Sequence, residues 1–140
     1  MHPVERKFQK AMSQIMPSET RVLVAVSGGP DSVVLLHLLN KYKVESSDGA
    51  LAIAHLNHLS RGIDSKKDSD FVAGLGKALG LETFIEDVDV ALLSSKMKTS
   101  FQESARIIRY DFLERISRKW SAHLIALGHH LPTNWKTTDL

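Results

Sequence analysis

Ser27, Gly28, Gly29, Pro30, Asp31 and Ser32 follow one another without a break, and as a group they are suited to holding an anion. Glycine has no Cβ, so Gly28 and Gly29 are free to adopt positive φ and to let the backbone approach a ligand closely. Ser27 and Ser32 add hydroxyl donors, and a helix starting at Asp31 would aim the partial positive charge of its first amides into the same space. The anion such groups suit is a phosphate. Asp31 is an acid in an anion site, which makes sense where a magnesium ion bridges its carboxylate to phosphate oxygens. A Walker loop would end in Gly-Lys-Ser/Thr, and a dinucleotide fingerprint would need a third spaced glycine; neither is present. The structural alternative is a plain Gly-Gly turn with a capping Ser and Asp.

Three other groups of residues carry potential chemistry. Ala54, His55, Asn57 and His58 close an apolar run, and Gly128, His129 and His130 close another. Arg106 and Arg109 are three apart and so share a helical face; their structural alternative is pairing with Glu103 and Asp111 along that helix. The histidines can equally be strand-end or core residues, and no standard ligand spacing supports a zinc site. Cysteine is absent, which removes disulfides, thiolate catalysis and iron–sulfur ligation.

These residues need elements to position them. Residues 22–26, Val-Leu-Val-Ala-Val, form a continuous apolar run suited to a parallel strand covered on both faces. The apolar residues after the loop predict a helix over 31–42, with a turn at 46–49. A second strand is expected at 50–56, a helix at 65–79 closed by Gly80, and a third strand at 82–88. Residues 91–99 read as a linker, 101–119 as a helix and 124–127 as a fourth strand. Residues 4–16 read as an N-terminal helix. The alternation predicts a doubly wound, mainly parallel α/β sheet, Rossmann-like, in which ligands sit beyond the carboxyl ends of the strands. All three polar junctions follow strands and so share that edge.

A length of 140 residues with 43% hydrophobic content suits one compact domain. The net charge of +2 does not mark a nucleic-acid binder, although Arg106, Arg109, Arg115, Arg118 and Lys119 crowd one helix and local patches can hold polyanions. No apolar run is long enough to cross a bilayer, and the first residues lead into no signal-peptide core, so a cytoplasmic protein is expected.

The unit of strand, Ser-Gly-Gly-Pro-Asp-Ser and helix resembles the pyrophosphate loop of the N-type ATP pyrophosphatase (PP-loop) superfamily, whose fold is of the adenine nucleotide alpha hydrolase type and whose members split ATP to AMP by adenylating a substrate. Ala54-His55-Leu56-Asn57-His58, with Ser60-Arg61-Gly62, Ser65 and Asp68, resembles the second motif of bacterial tRNA(Ile)-lysidine synthetases. Glu103-Ser104-Ala105-Arg106-Ile107-Ile108-Arg109-Tyr110-Asp111-Phe112 is similar to their Glu-x-x-Arg-x-x-Arg-Tyr-x-Phe helix, and Gly128-His129-His130 to the start of their next motif. The resemblance implies that ATP and magnesium activate the wobble cytidine of isoleucine tRNA and that free lysine is joined to the ring carbon. It implies that Ser27 to Ser32 hold phosphates with magnesium at Asp31, and that Ala54, His55 and Asn57 border the adenine. Arg106 and Arg109 would stabilise phosphate or activated base, and His130 would lie near the reacting centre. Oligomeric state is left open, a homodimer being one option. Other PP-loop enzymes are the alternative: an amidotransferase synthetase, or a tRNA thiolase, which lack of cysteine disfavours. A non-catalytic nucleotide-binding module is a third reading.

After His130 the pattern breaks. The family continues Gly-His-His-x-x-Asp-x-x-Glu-Thr, whereas here Thr133 stands for the aspartate and Lys136 for the glutamate, with only Thr137 matching. A lysine in place of an acid beside magnesium-bound phosphate would reverse the local electrostatics. The break, and the lack of the C-terminal domains that grip tRNA, lead to the expectation of a truncated or frame-shifted product. Sequencing the encoding DNA checks it.

Overall fold

Val22, Leu23 and Val24 are fully buried, although neighbouring side chains on a strand point to opposite faces. Both faces of this strand must therefore be covered. In the computed structural model, which describes residues 20–27, 29–46, 50–59, 63–127 and 135–137, they are. Val22, Val24 and Val26 join a core with Leu35, Leu36, Leu39, Ile53 and Val72. Leu23 joins another with Ala52, Ala54, Phe112, Leu113, Ile116 and Trp120.

The strands are β1 (Arg21–Ala25), β2 (Ala50–Asn57), β3 (Glu82–Asp87), β4 (Leu124–Leu127) and β5 (Trp135–Thr137). The helices are α1 (Pro30–Ser46), α2 (Ile63–Leu79), α3 (Val90–Met97) and α4 (Phe101–Trp120). The sheet order is β3-β2-β1-β4-β5; the first four strands are parallel, and β5 runs antiparallel to β4. Helices α1 and α2 cover one face and α4 the other, so the doubly wound α/β expectation holds. The chain leaves β1 toward β2 and β3, then crosses back to place β4 on the other side of β1. A crevice opens where the strand order reverses, beyond the carboxyl ends of β1 and β4.

Two segments differ from the sequence reading. The expected linker at 91–99 contains helix α3. Its start is fixed by Asp89, whose Oδ1 accepts the Leu92 N–H at 3.0 Å, and it ends at Lys98 with φ of 57°. Val90 is its buried anchor. The tail, in which the sequence shows no convincing helix, contributes β5, whose backbone pairs with the edge of β4 that would otherwise be open. Helix α1 also runs to Ser46, beyond the expected helix end at Tyr42. Gly28, His130, the expected helix at 4–16 and turn residues 47–49 lie outside the described residues.

Helix α4 matters most for the site. Ser100 caps it by accepting the Glu103 N–H at 3.1 Å. At its far end, Trp120 donates its indole N–H to Glu82 at 3.0 Å, while the Arg21 guanidinium lies 4.0 Å from the Trp120 ring centroid. Among the described residues, no helix is long and apolar enough to cross a membrane.

Candidate active site

Beyond β1 the chain turns sharply into α1, and two serines hold the turn. The Ser27 backbone N–H donates to Ser32 Oγ at 3.0 Å, and the Gly29 N–H donates to Ser27 Oγ at 3.2 Å. The Ser32 hydroxyl has the carbonyl oxygens of Gly29 at 3.2 Å and Ser27 at 3.4 Å as acceptors, and Ser27 Oγ lies 3.2 Å from it. A hydroxyl carries a single proton and two lone pairs, so Ser32 both receives and closes the loop. It is buried; its immediate task is to hold the loop's shape, where the sequence suggested a donor to phosphate.

Gly29 also departs from expectation. Among the described glycines only Gly80 has positive φ. Gly29 precedes Pro30, and a residue before proline is pushed to extended backbone. A Cβ there would meet Ser27 Oγ at 3.4 Å, an ordinary van der Waals contact, so the protein's own atoms leave space for one. Pro30 then opens α1, a first helical position where no N–H is needed. The next amides of that first turn have no intrahelical acceptor, and Asp31 sits among them.

The second wall comes from the end of β2. His55 is buried, with Nδ1 2.7 Å from the Val26 carbonyl oxygen. A carbonyl can only accept, so Nδ1 carries the proton and Nε2 is left as the lone-pair nitrogen. Nε2 is buried without a hydrogen-bond partner. The Asn57 side chain accepts the Leu59 N–H at 3.0 Å, supporting Leu59 at φ of 61°. This Asx-type turn sets the exit of β2 and the position of His58.

Helix α4 supplies the third wall. Arg109, Phe112 and Leu113, one helical face, reach the same crevice as the loop and the end of β2, enclosing about 450 Å³. Arg109 Nε is buried and has no hydrogen-bond partner. Arg106 is elsewhere: it is exposed and makes a two-pronged pair with Glu103, at 2.6 and 3.2 Å. Asp111 pairs with Arg115 at 3.0 Å and leaves Arg109 alone. The two arginines expected to act together are thus divided, one into the crevice and one to the surface. The Arg106 hydrogen bond holds the Glu103 carboxyl below its ordinary range. Burial, with Arg109 and His55 nearby, pushes the His58 imidazole below its usual value.

A family model for the PP-loop domain matches residues 1–138 of the chain. The chain belongs to the PP-loop family. It is 38% identical over 139 residues to the tRNA(Ile)-lysidine synthase of Chlorobaculum tepidum, covering 98% of this chain and 42% of that protein. It is also 38% identical over 130 residues to the enzyme of that name from Persephonella marina, covering 91% of this chain and 28% of that protein. The chain therefore spans less than half the length of these relatives. Among solved structures, the U34-tRNA thiolase NcsA from Methanococcus maripaludis shares the fold, with a TM-score of 0.78 at 23% identity, over 91% of this chain and 45% of that one.

In this PP-loop chain, every described residue expected at the nucleotide site lines the crevice: Ser27, Gly29, Pro30, Asp31, Ser32, Ala54, His55 and Asn57. The sequence reading assigned no role to His58, Ser65, Asp68, Phe112 or Leu113, which line it too. The signal for Phe112 was present, three residues after Arg109 on one helical face. Asp31 and Asp68 are the acids of the crevice. Among the described residues, no group of three or more His, Asp or Glu side chains could cage a metal ion. A carboxylate beside a phosphate loop does fit magnesium, which takes one or two carboxylates and completes its shell with phosphate oxygens and water.

Proposed function

We propose that the chain is the nucleotide-binding, adenylating domain of a tRNA(Ile)-lysidine synthase, acting in the cytoplasm on ATP, isoleucine tRNA and free lysine. The observation that carries this reading is the convergence of the Ser27–Ser32 loop, the end of β2 and Arg109 on one crevice in a PP-loop chain related to such enzymes.

In this reading the loop amides and the first turn of α1 hold the β and γ phosphates, because they offer N–H donors and the positive end of the helix dipole. Asp31 is the residue that would hold magnesium, which would supply positive charge to stabilise pyrophosphate as a leaving group. Ala54, His55 and Asn57 border the nucleoside. Arg109 faces the α-phosphate, where negative charge grows as the cytidine oxygen attacks phosphorus and pyrophosphate leaves. The lysine amine then attacks the activated ring carbon, and AMP departs with the oxygen. His130 belongs near that centre by the same reading.

Incubation of the chain with ATP, magnesium, lysine and isoleucine tRNA tests it. AMP release together with lysidine in the digested tRNA is the expected result. One specific observation favours a second reading, a nucleotide-binding module without catalysis: Thr133 and Lys136 stand where related sequences are expected to carry acids. ATP binding with no AMP formed for any acceptor would select that reading.

A further inference from the structure

Most of the cations crowded along α4 are already answered. Arg106 pairs with Glu103, Arg115 with both Asp111 and Glu86, and Arg118 with Glu114, so the outer face of that helix offers little net charge to a polyanion. The corner joining α3 to α4 is different. Residues 90–102 contain Lys96 and Lys98 and no acid. Both lysines are exposed, and among the described residues neither forms an ion pair. The flanking acids are engaged, Asp89 with the Leu92 N–H and Glu103 with Arg106.

The same corner exposes apolar surface. Leu92, Met97 and Phe101 are 53, 36 and 44% exposed, and Leu92 and Lys96, one helical turn apart, share the face of α3 opposite buried Val90. Cations interleaved with exposed aromatic and aliphatic side chains suit a partner that carries both phosphates and unstacked bases. The corner is also held in shape. The Ser94 hydroxyl donates to the Thr99 carbonyl at 3.0 Å and the Lys98 N–H to the Ser94 carbonyl at 3.1 Å, while the Thr99 hydroxyl meets that of fully buried Ser104.

Its place relative to the crevice follows from its two roots. On the α3 side the Val88 N–H donates to the carbonyl of Asn57 at 2.8 Å, and Asn57 lines the crevice. On the α4 side Arg109 lines it, and the helix then descends to Trp120, which is bonded to Glu82 at the start of β3. The N-terminal end of α4 therefore projects past the carboxyl edge of the sheet. Phe101 stands about 12 Å beyond Arg109 along the axis, at about 1.5 Å per residue.

We propose that this corner receives the unpaired nucleotides flanking the reacting base of an RNA loop, with Lys96 and Lys98 against their phosphates and Phe101, Met97 and Leu92 against their bases. The inference rests on the reading of the crevice as the place where a tRNA base is adenylated. An RNA loop that puts one base into the crevice must lay its neighbours over the rim, and such loops are gripped through stacking and backbone contacts. A duplex would offer phosphates but no free base.

Fluorescence anisotropy of the full chain with a labelled anticodon stem-loop of isoleucine tRNA, over a series of salt concentrations, tests it, with a duplex of the same stem sequence as comparison. Lys96→Gln combined with Lys98→Gly removes both cations, and glycine suits position 98, where φ is 57°. We expect this variant to bind the stem-loop about tenfold more weakly at low salt and to reduce the slope of log affinity against log salt by about 1.4, two single-strand phosphates at about 0.7 each. Phe101→Ala should weaken stem-loop binding about fivefold or more, the loss of one base stack, with the salt slope and duplex binding unchanged. Arg118→Gln, on the paired part of α4, should alter neither quantity, and all variants should keep the parent's affinity for ATP.

A parent that binds the stem-loop, with corner variants that leave affinity and slope unmoved or an equal loss from Arg118→Gln, overturns the corner and spares the proposed function. Self-association that Phe101→Ala abolishes while RNA binding stays unchanged gives the surface to a second copy of the chain and overturns it too. A parent that binds no stem-loop at any salt and releases no AMP with the tRNA overturns the reading beneath it.

Discussion

His55 Nδ1 lies 2.7 Å from the carbonyl oxygen of Val26, and this hydrogen bond ties the exit of β2 to the exit of β1 just before the Ser27–Ser32 loop. The Val26 N–H reaches the Ala54 carbonyl at 2.9 Å, so the two strand ends are clamped from both sides. The loop begins one residue later.

Replacing His55 by Leu should leave the Val26 carbonyl without its donor and destabilise the fold by about 1–3 kcal/mol. His55→Asn places an amide N–H near the position of Nδ1 and should recover much of that loss. Chemical denaturation of the three proteins checks it; equal losses in both variants would mean the hydrogen bond does not matter.

Ser32→Ala removes the acceptor of the Ser27 N–H and the hydroxyl that closes the loop. A loop no longer preorganised should bind ATP about tenfold more weakly, the equivalent of roughly 1.4 kcal/mol. Calorimetry with ATP and magnesium measures it.

Arg106 and Arg109 should separate cleanly. Arg109→Ala removes a crevice cation and should weaken ATP binding about tenfold or more, the range of a hydrogen bond to a charged group at about 1.5–3 kcal/mol. Arg106→Ala breaks only an exposed pair with Glu103 and should leave both affinity and stability essentially unchanged. Parallel titrations of the two variants decide it, and equal losses of affinity would contradict the division.

Gly76 packs α2 against β3 so closely that a Cβ there would lie 1.9 Å from Thr83 Oγ1. Thr83 is β-branched and stiff, and its hydroxyl is engaged with the Leu81 carbonyl at 3.0 Å. Gly76→Ala should therefore cost about 1–3 kcal/mol from overpacking despite the gain in helix propensity. Adding Thr83→Ala should restore most of it, and a double-mutant denaturation cycle reads the coupling.

The lowered pKa of His58 also gives folding a pH dependence. The unfolded chain binds a proton at the ordinary value of 6.5, while the folded chain resists it. The His58 contribution is therefore neutral above that value and turns against the folded state as pH falls from 6.5 through the lowered folded value. His58→Gln should lose less stability than the parent between neutral and mildly acid pH in thermal melts.

Much of this was legible in the sequence because buried parallel strands are written as unbroken apolar runs. Val22 to Val26 and Leu124 to Leu127 could hardly be anything else. Helix α3 was missed because eight residues give too short a period to recognise; the clue was its cap, Asp89, rather than its apolar residues. β5 depends on an open edge of β4, a tertiary circumstance with no local signature. At the site, residue types singled out the Ser27–Ser32 turn that lines the crevice, but spacing could not tell which of two arginines on one helical face turns inward. Glu103, three residues before Arg106, settles that by engaging it. That Gly29 does not take positive φ agrees with its place before Pro30.

The central claim is that the Ser27–Ser32 turn receives the phosphates of ATP. Amide-resolved NMR of the chain titrated with ATP and magnesium tests it most directly. The account predicts that the largest shifts fall on Ser27, Gly29, Asp31 and Ser32, with Ala54 to Asn57 following as the nucleoside settles. Shifts centred on any other surface, with those amides unmoved at saturation, would contradict it.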